Sequence, residues 1–204
     1  MSCDSNSTIN AKIEVKNDTF NESAKIEITN IDTPLIKSPI VLSFLRQAKK
    51  ITTDNRPEMK GLKLAFKIPS SWKEMSTNNP STAYHFYSKI LNADFQLGVS
   101  PPSDDDDITE DVINKLKTMF PGLTSQRKIK IAGKNAFEMI HFRTIQLKNA
   151  TSYLNTMTVV FFHKTQLVIL TFGNAKINEE ESLDNINDLR ILYRNLINTV
   201  EVLQ

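Results

Sequence analysis

Imidazole, thiolate and paired carboxylate are the groups from which hydrolytic and metal chemistry is most often built. This chain carries 3 histidines and 1 cysteine in 204 residues. His85, His141 and His163 fall in three separate segments, with no H-E-x-x-H pattern and no neighbouring cysteine pair, so their spacing specifies no zinc site. His141, beside Phe142 in an apolar run, reads as a packed or pairing residue, and His163 as a turn residue. A serine nucleophile on a strand-to-helix turn needs a G-x-S-x-G elbow, and the sequence has none. Its 5 isolated glycines make neither a phosphate-cradling loop nor a dinucleotide fingerprint. No acidic pair stands in an aromatic-lined context that would suggest glycoside hydrolysis. The expectation is a chain without catalytic residues, metal ligands or a cofactor.

Asp104, Asp105, Asp106 and Asp107 form the most eye-catching charge run. A calcium loop alternates its oxygen ligands around a central glycine and closes on a distal glutamate, which this run does not do. It precedes a segment in which Val112, Ile113, Leu116, Met119 and Phe120 recur at helical spacing. Asp107 or Thr109 can cap that helix, and negative charge complements its positive end. Helix capping and solvation is therefore the favoured reading, with metal binding and a partner-docking surface as the functional alternatives. Trp72, just beyond Pro69, is the other candidate for such a surface, or else it seals the end of a core. Arg127, Lys128, Lys130 and Lys134 form a small basic group. Lys128 and Lys130 alternate with Ile129 and Ile131, which places them on a solvent side or a protected sheet edge.

The elements that must carry these residues follow from composition and periodicity. With 40% hydrophobic and 24% charged residues, the chain can build a hydrophobic core and is neither disordered nor fibrous. A balance of 25 Lys+Arg against 23 Asp+Glu supplies no clustered basic face for nucleic acid, so no DNA or RNA partner is expected. No apolar run approaches the roughly 18 residues a membrane span requires. Residues 11–15 and 24–28 are near copies with strict alternation and read as two strands of a hairpin, which needs a larger neighbour to be stable. Residues 40–50 carry Val41, Phe44, Leu45 and Ala48 at helical spacing and predict a short helix.

From Gly61 onward the alternation sharpens. Leu62, Leu64, Phe66 and Ile68 predict one strand, closed by Pro69. Residues 84–87 predict a second, and Ala93, Phe95, Leu97 and Val99 a third. After the helix at 112–120, a strand through Ile129 and Ile131 turns at residues 133–135 into a long strand over 136–147. A second hairpin, 153–162 and 167–172, folds around residues 163–166. In this last pair apolar residues occupy both faces, which requires a sheet covered above and below. An amphipathic helix over 186–200 supplies one cover. The predicted fold class is α+β, a mainly antiparallel sheet sandwiched between helices with an N-terminal β-hairpin extension. The expected organisation is a leader over 1–8, an extension over 9–56 and the main domain over 57–204.

Two resemblances add to this. The start Met1-Ser2-Cys3-Asp4-Ser5-Asn6-Ser7-Thr8 resembles the mature end of a bacterial lipoprotein, in which a cysteine after the signal peptide is acylated and a polar leash follows. No intact signal peptide stands in the sequence. The resemblance implies a lipid on Cys3 and an envelope location on the periplasmic or extracellular face. The cytoplasmic alternative has Met1 as a native start and Cys3 as an incidental thiol.

Separately, Leu64-Ala65-Phe66-Lys67-Ile68-Pro69-Ser70-Ser71-Trp72 is similar to the opening of PsbP-like domains, a group that includes DcrB-type lipoproteins and a Ran-binding import factor. Gly133-Lys134-Asn135-Ala136, the strand Leu167-Val168-Ile169-Leu170-Thr171-Phe172 and the closing helix extend the likeness over about residues 61–204. It implies an α-β-α sandwich that binds partners or assists assembly, with no shared catalytic set and no partner surface that maps residue by residue. The expected function is a non-enzymatic envelope interaction or assembly module with a protein partner, as monomer or homodimer, touching membrane only through its anchor. A cytoplasmic adaptor or secretion-associated chaperone of the same fold is the alternative, and an envelope hydrolase or metal-dependent enzyme the third.

Overall fold

The computed structural model describes residues 39–120, 123–147, 150–177 and 183–203. Cys3 and the twin segments 11–15 and 24–28 lie outside them.

Helix α1 (Pro39–Arg46) is followed at once by strand β1 (Ala48–Thr52), so the helix expected over 40–50 stops early. Strand β2 (Leu64–Pro69) pairs antiparallel with β1, with Ile51 opposite Phe66, and on its other edge with β10 (Glu201–Val202). A backbone edge leaves donors and acceptors in need of partners, and a helix of so few residues has little intrinsic stability to compete with that pairing. β1 keeps Lys49 and Lys50 exposed while Ile51 packs against the core.

The larger sheet has seven strands. They are β3 (Lys73–Glu74), β4 (Thr82–Ser88), β5 (Ala93–Pro102), β6 (Leu123–Ile131), β7 (Lys134–Leu147), β8 (Ala150–His163) and β9 (Gln166–Ile177). Their spatial order is β3-β4-β5-β9-β8-β7-β6, with every neighbouring pair antiparallel. The β6–β7 turn falls on Ala132 and Gly133, one residue earlier than the sequence suggests. Both have positive φ, 49° and 76°, the backbone that a two-residue hairpin turn needs to match strand twist.

Alternation along β7, β8 and β9 assigns each face its own core. Ala136, Ile140, Met157, Val159, Phe161, Val168, Leu170 and Phe172 point to one side, where helix α3 (Leu183–Ile197) and the three-stranded sheet meet them. Phe137, Met139, Val160 and Phe162 point to the other, under helix α2 (Glu110–Met119) through Val112, Ile113 and Leu116. This is an α+β sandwich in which the central strands are buried on both faces, as their unbroken apolar character requires.

On the α3 side an aromatic series crosses the layers. Phe95 lies 5.3 Å from Phe66 of β2 and 4.9 Å from Phe172, whose ring is 4.5 Å from Tyr193 of α3. Burial pushes the Tyr193 phenol far up, and its hydroxyl donates to the Gly173 carbonyl at 3.1 Å.

Helix α2 starts where the sequence places a cap. The Thr109 side chain accepts from the Val112 N–H at 3.3 Å. Thr109→Ala is expected to lower stability by about 1 kcal/mol, measurable as a shift in urea midpoint at unchanged slope.

Candidate functional site

The acidic run is built into the fold. Asp107 Oδ1 accepts from the Ile108 N–H at 2.8 Å, and both its oxygens accept from Asn135 Nδ2 at 3.2 and 3.0 Å, which ties the approach to α2 to the start of β7. Asp105 pairs with Lys115 one turn into α2 at 3.1 Å. Asp104 and Asp106 are exposed. Carboxylates spent on a turn, a strand and a helix lysine are positioned as a brace for α2.

Trp72 does not form a surface. It is 1% exposed and packs in the main core with Phe66, Ile68 and Phe86, so its role as a docking residue is corrected to that of a core seal. An indole ring buries too much apolar area to stay out when β2 ends beside an open core edge.

The histidines do not converge. His141 is buried on the α2 side with its ring 5.3 Å from Phe120. His163 ends β8, just before the Lys164-Thr165 turn. Burial there lowers its pKa, and the charges of Lys134 and Lys164 act in the same sense. His85 on β4 faces Asp94 on β5, with Nε2 to Oδ2 at 3.3 Å, and Gln96 Nε2 donates to the same oxygen at 3.0 Å.

The His85–Asp94 pair marks an open region. The side of the large sheet that α2 covers over β7–β9 continues across β5 and β4 with no described element packed on it. His85, Tyr87, Asp94, Gln96, Gly98 and Thr171 are all half-buried there, alternating with core residues that face the other way. Gly173, opposite Asp94 in the register, leaves room for that carboxylate, because a Cβ at residue 173 would overlap it. The result is a polar sheet surface on which Asp94 lies beside His85 and accepts from Gln96.

A second cluster is one the sequence reading missed. Arg127 alternates with Lys128 and Lys130, yet it shares a face with Ile129 and turns inward, while Lys128 pairs with Glu110 of α2. Opposite Arg127 in the β6–β7 register stands Glu138, whose side chain is 2% exposed. Arg127 donates to it through Nε at 2.6 Å and Nη2 at 3.0 Å. Arg194 of α3 donates through Nη2 at 3.0 Å and Nε at 3.3 Å. Burial alone would raise the Glu138 pKa, but the two guanidiniums, by hydrogen bonding and charge, hold it below the ordinary carboxylate value. Its sequence signal was a single acid at an inward position of the apolar run Ala136-Phe137-Glu138-Met139-Ile140. A charge placed there needs a partner.

No family model matches the chain, and no curated protein matches it either. Solved structures do. A Bacteroides thetaiotaomicron protein is 14% identical, with a TM-score of 0.48 over 78% of this chain, and this chain spans about half of it (49%). The Saccharomyces cerevisiae Ran-binding protein Mog1p is 10% identical, with a TM-score of 0.46 over 76% of this chain and 95% of its own. LpqN, involved in cell envelope biogenesis of Mycobacterium tuberculosis, is 10% identical, with a TM-score of 0.45 over 77% of this chain and 92% of its own. At these identities no functional residue is carried across.

Proposed function

We propose that this chain is a non-enzymatic interaction or assembly module of the bacterial cell envelope, tethered through an acylated Cys3 and docking a protein partner on the open face of β4 and β5. The observation that carries the reading is the half-covered outer face of the large sheet. Among the described residues α2 roofs one part of it, and the remainder presents His85, Tyr87, Asp94, Gln96 and Thr171, none of them fully buried. Polar side chains fixed on a rigid sheet lose little conformational freedom when a partner sets against them. That polarity suits a folded, hydrogen-bonding partner better than the apolar client segment that a chaperone of this fold would shield. No helix among the described residues is long and apolar enough to cross a membrane, so residence at a membrane is assigned to the lipid; stable anchoring takes more than one acyl chain.

The test uses cells expressing the chain from its natural gene. A photo-crosslinking residue at position 87 should yield a discrete adduct, and one at the exposed Lys60 should not. Asp94→Lys should lower the adduct about tenfold, because a like or unpaired charge at an interface is costly. Equal labelling from both positions, or labelling indifferent to Asp94→Lys, removes the docking face. Mass spectrometry of the mature protein reads the tether directly: an acylated Cys3 is expected, and an unmodified thiol overturns the envelope location.

A further inference from the structure

We propose that β6, the long edge of the large sheet, is a docking edge for residues 24–28 of this same chain, which add to it as a further antiparallel strand. Among the described residues the two sheets end in four edge strands, β3 and β6 on one and β1 and β10 on the other. β3 and β10 have two residues each, too few to hold another strand. β1 has five and blunts its edge by turning Lys49 inward, where its Nζ lies 5.7 Å from the centre of the Phe86 ring. β6 has nine, pairs among the described residues with β7 alone, and buries Ile129 and Ile131. Every second residue of an antiparallel edge strand turns its N–H and C=O away from its one partner. β6 therefore carries a row of donors and acceptors that a further strand satisfies.

The pattern of residues 24–28 matches that edge. Ala24, Ile26 and Ile28 alternate with Lys25 and Glu27, as Ile129 and Ile131 alternate with Lys128 and Lys130. In the antiparallel register that sets Ile28 opposite Ile129 and Ile26 opposite Ile131, the apolar row continues across the new pair and Glu27 falls opposite Lys130. Lys130 is exposed and has no ion-pair partner among the described residues, whereas Lys128 is engaged by Glu110. Opposite charges facing each other across a strand pair stabilise it. The acidic residues 179–181 follow Ile177, whose register position lies about ten residues, or roughly 33 Å, along the strands from Lys130. The few residues from 177 to 181 extend no more than about 14 Å, so that stretch does not serve this lysine.

Reach and charge select the chain's own segment over a second copy. Residues 29–38 join it to α1, which packs on the α3 side through Phe44 and Leu45. Extended, they span about 35 Å, more than the roughly 29 Å width of seven strands. Two copies of β6 fit each other poorly, because any antiparallel register that aligns isoleucine with isoleucine also sets lysine opposite lysine. The hairpin that 24–28 forms with its near copy 11–15 is too small to stand alone, and the β6 edge is the larger neighbour it needs. Once seated there, it also shields the edge from pairing with other chains. The inference is independent of the docking face, since β4 and β5 lie toward the other end of the strand order from β6.

The experiment maps disulfides in the full chain with Cys3→Ser as background. Glu27→Cys combined with Lys130→Cys should close an intramolecular disulfide on mild oxidation, seen as a reducible shift of the monomer band, because opposite Cβ atoms in an antiparallel pair lie about 4.5–5.5 Å apart. Glu27→Cys with Lys50→Cys on β1, and Glu14→Cys with Lys130→Cys, should each close at least about tenfold more slowly. Faster closure of the first control moves the segment to another edge, and of the second gives β6 to the other twin; either overturns the assignment. A disulfide formed mainly between chains overturns it in favour of a second copy, and no closure in any pair overturns the docking altogether. Hydrogen exchange supplies a readout without cysteines. Ile26→Pro, which removes a donor and disrupts the added strand, should speed exchange of the outward amides of β6 at least about tenfold and leave those of β2 unchanged. Glu27→Lys should speed it about threefold, and Lys130→Glu in the same chain should restore it. Exchange in β6 that is indifferent to Ile26→Pro overturns the proposal.

Discussion

Glu138→Gln is expected to destabilise the chain by about 3–5 kcal/mol, the range for removing one partner of a buried ion pair. The reason lies in what stays behind. Arg127 and Arg194, with side chains 26% and 22% exposed, would face each other with no anion between them. At roughly 2–4 °C per kcal/mol for a chain of this size, the melting temperature should fall by about 6–20 °C. Denaturant unfolding at neutral pH measures this, and a change under 1 kcal/mol would show that the pair contributes little. The pH dependence has a definite sign. Glu138 has a lowered pKa in the folded state, so its contribution is complete above the unfolded glutamate value of about 4.3 and is lost as pH falls from there through the folded value. Wild type and Glu138→Gln should therefore converge in stability in acid and diverge toward neutrality.

Phe95→Ala should cost about 3–5 kcal/mol for a different reason. Phe95 is 2% exposed and touches rings from three other strands, Phe66 at 5.3 Å, Phe86 at 6.3 Å and Phe172 at 4.9 Å. It is the point at which the two sheets and, through Phe172 and Tyr193, helix α3 are held in one core. Truncation removes transfer energy and leaves a cavity that neighbouring strands, fixed by their hydrogen bonds, cannot collapse to fill. Ile90→Ala is the comparison, since Ile90 is 81% exposed and its loss should stay within about 0.5 kcal/mol. A drop near that size for Phe95→Ala would mean that the aromatic series is not what joins the layers.

The sequence alone determined most of the elements, because periodicity is local. The strands through Phe66, Phe95 and Ile129, the helix through Val112 and Leu116, and the hairpin around residues 163–166 all follow from which neighbours are apolar. Burial of β8 and β9 on both faces was legible for the same reason. Even the cap of α2 could be narrowed in advance to Asp107 or Thr109, since a cap acts within one turn, and it is Thr109 that accepts from Val112.

Tertiary structure decided what lies opposite each face. Alternation says that Glu138 points inward with Ile140, but not that Arg127, 11 residues away, and Arg194, 56 away, close around it. Nor can local spacing show that residues 48–52 leave a helix to pair with β2, or that Trp72 turns into the core. Those outcomes depend on contacts between distant segments, whose free energies exceed the small differences in local propensity. The polar face of β4 and β5, on which no described element packs, belongs to the same class, because a half-buried strand looks alike in sequence whether or not a distant segment covers it.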